Sequence, residues 1–160
     1  MSEYRPMRRA TREIDDPAEV RAVLEEATVL FLGIHDEPAP YVIPVCYGLE
    51  GDVLYVHCAT EGTKLDLLRR RPEVGFSATT PFTLVTGATA CAFGCRAASV
   101  AGTGRVRIVT EETERARALA ALMRHYAGPE GERLPFSSEV VRRTTIIAID
   151  IETLRGKRIG

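Results

Sequence analysis

The stretch from Pro40 to Pro72, PYVIPVCYGLEGDVLYVHCATEGTKLDLLRRRP, constrains the fold more than any other part of the chain. Two runs rich in β-branched and aromatic residues, 41–49 and 53–59, flank Glu50-Gly51-Asp52. A short Gly-containing connection between such runs reads as a tight antiparallel hairpin. The second run passes through His57 into Thr60-Glu61-Gly62-Thr63-Lys64, where a helical pattern begins. A helix N-terminus presents unpaired N–H groups and partial positive charge, so Lys64 in its first turn is mildly unfavourable alone. An anion seated there reverses that sign, because it takes the backbone N–H groups, the Thr63 hydroxyl and the Lys64 charge together. A hairpin feeding a Gly-Thr-Lys helix mouth predicts a phosphate pocket built on a sheet.

The remaining pattern surrounds that hairpin with more strands and few helices. Asp16 precedes Pro17 and Glu19, a capped and acidic helix start, and Val20, Val23, Leu24 and Ala27 follow at helical spacing. Residues 28–35 (TVLFLGIH) read as a buried strand stopped by Asp36-Glu37-Pro38, and residues 64–71 as a short helix ended by Pro72. Residues 74–80 and 99–109 read as strands, the latter with Gly102 and Gly104 inside it as a bulge signal. The small-residue stretch 81–96 between them reads as a long loop. Residues 111–126 form the clearest helix, 128–132 a loop, 137–142 a helical turn, and 144–151 (TTIIAIDI) a last strand. Strands that do not alternate with helices argue for an α+β closed or nearly closed barrel rather than a doubly wound parallel sheet.

Composition narrows the function by exclusion. With 160 residues, a single domain 1–160 is expected. A formal net charge of −1 gives no general pull toward nucleic acid or anionic membrane. No apolar run reaches spanning length, and the basic N-terminus lacks an apolar segment behind it, so a soluble cytoplasmic protein is expected. Cys46, Cys58, Cys91 and Cys95 read as free thiols, and no metal site is expected from their spacing. Walker, dinucleotide and nucleophile-elbow motifs are absent from the sequence. His35 ends a strand and His125 ends a helix, where structural or solvated roles suffice. His57 lies one strand end from the proposed phosphate pocket, which makes it the histidine of interest.

Seven pieces, in order along nearly the whole chain, resemble the pyridoxamine 5′-phosphate oxidase-like, FMN-binding split-barrel superfamily, and most closely its nitroimidazole-resistance (Nim-type) branch. They are MRRATREIDDPAEVRAVLEEA, PYVIPVCYG, LYVHCATEGTKLDLLRRRPEVGF, the Cys91-Ala92-Phe93 stretch, SVAGTGRV, ALMRHYAG and IETLRGKR. The resemblance implies an α+β fold, a six-stranded antiparallel split β-barrel with peripheral helices. It also implies a homodimer with FMN at the subunit interface, for which strands 41–45 and 144–151 are the candidate contacts. Carried over residue by residue, Lys64 corresponds to the lysine that holds the FMN phosphate, with Gly62 and Thr63 in the adjoining turn. Val42, Ile43, Pro44 and Val45 correspond to the strand lining the flavin, and Ser99 to a polar residue facing the cofactor. His57 and Cys58 correspond to the strand end beside phosphate and ring, and His57 takes the tentative catalytic role.

The implied activity is that of an FMN-dependent oxidoreductase. It would pass electrons from a reduced nicotinamide nucleotide through flavin to a small acceptor, nitroaromatic or quinone-like. Pyridoxamine phosphate oxidation itself is not expected. Ala97-Ala98 stand where Nim-type members carry Tyr-Arg, Thr63 replaces a basic residue of the oxidase branch, and the sequence given ends at Gly160 without the oxidases' Arg-containing tail. The alternative is a non-catalytic storage or sensor module that binds flavin or haem. Haem and a deazaflavin are the alternative ligands.

Overall fold

The computed structural model describes residues 7–160. The reading that no signal peptide is present drew partly on residues 1–6, which lie outside the described residues. In chain order the elements are β1 (Glu13–Ile14), α1 (Pro17–Glu26), β2 (Leu30–Ile34), β3 (Tyr41–Val45), β4 (Gly48–Glu50) and β5 (Val53–Cys58). There follow α2 (Thr63–Arg70), β6 (Glu73–Thr79), β7 (Thr83–Val85), β8 (Gly94–Ile108), α3 (Glu112–Glu132), α4 (Ser138–Arg143) and β9 (Thr145–Ile159). Among these residues no helix is long and apolar enough to cross a membrane.

All strand pairing is antiparallel, in the order β3-β2-β6-β8-β9-β5-β4, with β1 added to β9 and β7 to β8. This is the α+β split barrel expected, although nine strands form rather than six. The surplus lies in short pieces. The run 41–49 is broken at Cys46-Tyr47 into β3 and β4, and the expected loop 81–96 contains β7 and the first residues of β8. There Thr83, Leu84 and Val85 pair with Arg96, Cys95 and Gly94. The last strand continues to Ile159, because residues beyond Ile151 keep pairing with β8 after a register shift at Thr103/Gly104.

Two buried clusters explain the apolar pattern. Inside the barrel, α1 contributes Val20, Val23 and Leu24 and α2 contributes Leu65, Leu67 and Leu68, packed with Leu30, Leu32, Leu54, Val56, Ile147 and Ile149. Asp16 caps α1 by accepting from Ala18 N at 2.9 Å. On the outer side, α3 lays Ala118, Leu119, Ala121 and Leu122 over Tyr55, Ile146 and Ala148. Alternate residues of β9 therefore enter different clusters, and both of its faces are covered. That burial accounts for the unbroken run Ile146-Ile147-Ala148-Ile149. It also corrects one expectation: those side chains are fully buried and cannot form a subunit contact.

Helix α3 sits unusually close to β4. A Cβ on Gly48 would lie 2.5 Å from Ala121 C and Leu122 N, so only glycine fits beneath the helix backbone. Next to it, Tyr47 is fully buried and donates from its hydroxyl to Leu24 O at 2.5 Å and Ala27 O at 2.8 Å. The helix itself breaks at Gly128 (φ 67°), ahead of Pro129, where a loop was expected.

Candidate functional site

The barrel is split where the chain passes from β3 to β4. Strand β3 pairs only with β2, from Leu30↔Val45 to Ile34↔Tyr41. On the far side of the sheet, β5 pairs with β9 along its whole length but with β4 only through Val53, Leu54 and Tyr55. Across this split the edge of β3 and the last half of β5 are left without ladder partners among the described residues. They share one interior, because Tyr41, Ile43, Val45 and Cys58 all pack on the barrel core. Continuing the Gly48↔Tyr55 register by two residues would set Cys46 opposite His57, but the ladder stops at Gly48. A slit with exposed backbone N–H and C=O groups along its rims results.

At one end of that slit lies the mouth of α2. Gly62 occupies the N-cap position with φ 119°, a conformation side chains resist, and no side chain caps the helix. The first N–H groups of α2 consequently lack side-chain acceptors. Lys64 is half-buried in the first turn and has no ion-pair partner among the described residues, since Asp66 is taken by Arg69 at 3.2 Å. Burial pushes the Cys58 thiol up from its ordinary value, while the Lys64 and Arg69 cations pull it down, which places Cys58 beside this positive mouth. An uncapped helix N-terminus, an unpaired cation and two open strand edges suit a planar group carrying a phosphate.

The other expected site residues fall on different surfaces. Paired residues on neighbouring strands share a face, so Val42 and Pro44 lie on the outer face with Phe31, Gly33, Gly75 and Ser77. Ser99 lies on that same face, pairing with Thr79 and Lys157, and its hydroxyl donates to Lys157 O at 3.5 Å. It is three strand spacings from β3, roughly 14 Å across the sheet. Ile43, Val45 and Cys58 face the interior. Gly62 and Thr63 are exposed at the helix mouth.

His57 and Cys58, adjacent in sequence, point to opposite sides of β5. His57 is exposed and lines a cavity of about 310 Å3 beneath α3, with Cys46 and Tyr126 beside it and Leu119, Leu122 and Met123 as the helix wall. Cys46 and Tyr126 were missed from sequence. The available signal was the break at Cys46-Tyr47 in the middle of an apolar run, and ALMRHYAG carried the tyrosine with no role attached. The other histidines are structural. His125 donates from Nε2 to Ala27 O at 2.8 Å and packs against Tyr47 with the rings tilted by 42°, and His35 accepts from Arg71 at 2.8 Å. No cluster of three metal-ligating side chains occurs among the described residues.

A family model described as pyridoxamine 5′-phosphate oxidase matches residues 16–158. Among solved structures, a candidate 5-nitroimidazole antibiotic resistance protein from Bacteroides thetaiotaomicron is 28% identical, with a TM-score of 0.80 over 92% of this chain and 87% of its own. The flavocytochrome Anf3 from Azotobacter vinelandii is 24% identical, with a TM-score of 0.78 over 94% of this chain and 71% of its own. An FAD and haem binding protein from Mycobacterium smegmatis is 17% identical, with a TM-score of 0.78 over 91% and 72%. The latter two likenesses concern the fold. Among curated proteins, none matches this chain.

Proposed function

The chain belongs to the pyridoxamine 5′-phosphate oxidase family, and from that premise we propose that it binds FMN and transfers electrons from a reduced nicotinamide nucleotide to a small acceptor. The observation that carries this proposal is Lys64, half-buried and unpaired at the uncapped mouth of α2, beside an open slit in the barrel. Bound flavin would supply a reversible two-electron couple. The chain's own part is to bind and orient. Lys64 and the N–H groups of Thr63 and Lys64 hold the phosphate. The free edge of β3, from Val42 to Val45, offers backbone groups to the polar rim of the ring. Cys58 borders the phosphate end, and His57 stands on the opposite side of β5, where its imidazole can donate or accept a proton.

A second copy completes the site. Val42 and Pro44 are exposed on the outer sheet face that also carries Ser99, and a homodimer would cover that face with its partner. Both Phe31, 50% exposed, and Val42, 60% exposed, belong to that face. The same relatives named above as haem proteins raise haem as a second ligand, and His57 favours it, being an uncommitted imidazole on an apolar wall. Its cavity of about 310 Å3 opposes it, being at the small end of ligand pockets and too small to enclose a macrocycle.

The visible spectrum of the purified protein, before and after incubation with FMN, tests the proposal. Flavin bands that shift on binding and bleach on adding a reduced nicotinamide nucleotide are expected. A Soret band would replace flavin by haem. No chromophore together with no uptake of FMN would leave the slit without its proposed ligand.

A further inference from the structure

A cavity of about 420 Å3 opens near the C-terminal end of β9, lined among the described residues by Met7, Arg8, Arg9 and Lys157. Sheet pairing assembles it. Strand β1 runs antiparallel to β9, with Glu13 opposite Lys157 and Ile14 opposite Gly156, so the residues before Glu13 continue past Lys157. A single 3-10 turn over residues 10–12, in which Arg12 N donates to Arg9 O at 3.0 Å, keeps this segment against β9. The mouth of α2 belongs to the other end of β9, where Cys58 pairs with Thr145. The neighbouring carboxylates are already taken. Arg155 donates to Glu13 at 2.6 and 3.1 Å, and Arg158 donates to Glu19. Arg8, Arg9 and Lys157 have no ion-pair or side-chain hydrogen-bond partner among the described residues. Three cations therefore line one cavity without a counter-charge, in a chain whose formal net charge is −1.

That arrangement selects its occupant. Like charges around a concavity repel one another, and a polyanion seated among them reverses the sign. Each guanidinium fork can take one phosphate group bidentately, and the Lys157 ammonium adds a point charge. Two forks and an ammonium suit two linked phosphates better than one. A cavity of about 420 Å3 leaves room beyond the phosphates, and Met7 supplies an apolar side chain there. We propose that this cavity binds an organic diphosphate, with Arg8, Arg9 and Lys157 on the phosphates and Met7 against the organic part. The site stands on its own cavity and charges and does not rest on the flavin function proposed above. Lys157 is four strand spacings from β3, roughly 19 Å across the sheet, at the opposite margin of the outer face from Val42.

Calorimetric titration of the full chain at low salt tests this, with adenosine diphosphate as the probe. Adenosine monophosphate, adenosine and inorganic pyrophosphate are titrated beside it. The diphosphate should bind saturably, the monophosphate roughly tenfold more weakly, and adenosine not at all. Inorganic pyrophosphate should bind about threefold or more below adenosine diphosphate, because it lacks the part that meets Met7. Arg8 and Arg9 are exposed, so Arg8→Gln with Arg9→Gln should fold. That double variant should lose adenosine diphosphate affinity by about tenfold or more and keep FMN affinity within about twofold. If it does not fold, Lys157→Gln carries the test, with an expected loss of about fivefold. No saturable binding, monophosphate binding as tight as diphosphate, or unchanged affinity in a folded variant would overturn the proposal. Pyrophosphate binding as tight as adenosine diphosphate would overturn the organic ligand in favour of the free anion. Displacement of adenosine diphosphate by equimolar FMN, or joint loss of both ligands in the double variant, would overturn it by making this cavity part of the FMN phosphate site.

Discussion

Lys64 and His57 lie seven positions apart in sequence yet answer to different physics. Lys64 is useful through charge at a helix mouth, so Lys64→Ala should weaken FMN by ~1.5–3 kcal/mol, the range of a charge-assisted contact. Riboflavin, which lacks the phosphate, should bind the variant and the parent alike. Equal losses for both ligands in fluorescence titrations would remove Lys64 from the phosphate site. His57 is exposed and contributes to neither buried cluster, so His57→Ala should change stability by no more than about 0.5 kcal/mol. Its effect should fall on turnover per folded molecule or on the flavin potential. A lowered melting temperature with unchanged turnover would make His57 a structural residue. The pair also shows what a sequence can disclose about a site. Lys64 was legible because a cation at a helix start is locally unfavourable and asks for an anion. Cys46 and Tyr126 were not, because their neighbourhood forms only when α3 folds over the joint between β3 and β4.

At the scale of elements, the most demanding contact is between α3 and β4. A methyl group on Gly48 would meet backbone atoms of Ala121 and Leu122 at 2.5 Å, and backbone cannot rotate aside as a side chain can. Gly48→Ala should therefore cost ~1–3 kcal/mol or more, as overpacking does, and should disturb the cavity at His57 by displacing the helix. Denaturant unfolding measures the first effect, and an unchanged midpoint would mean that α3 docks loosely. Helices α1, α2 and α3 were readable from capping residues and apolar spacing, and β2, β5 and β6 from β-branched runs. The misread elements share one cause. Strand β7 is only three residues long (TLV) and the tail of β9 is polar and basic (TLRGKRI), and both are strands because β8 supplies an edge to pair with. Tertiary pairing of this kind leaves little trace in local pattern.

For the whole molecule, the uncovered outer face around Phe31, Val42 and Pro44 sets the expected assembly. Contiguous exposed apolar surface on a sheet marks an interaction site, and here it adjoins the edge strand of the slit. The chain should sediment as a homodimer at micromolar concentration, and Phe31→Glu with Val42→Glu should yield folded monomers that bind FMN poorly. A wild-type monomer carrying tightly bound flavin would contradict this. The slit has a mechanical consequence as well. Elsewhere, parting two neighbouring strands of the barrel breaks ladder hydrogen bonds, but parting β3 from β5 breaks none and is resisted by side-chain contacts and the Cys46-Tyr47 tether. The wall is therefore soft along one line only. Backbone amides of β3 that point away from β2 should exchange with deuterium through shallow openings, well ahead of those in β8 and β9. A ligand wedged along that line would stiffen it, and the slowing should be greatest at those same amides.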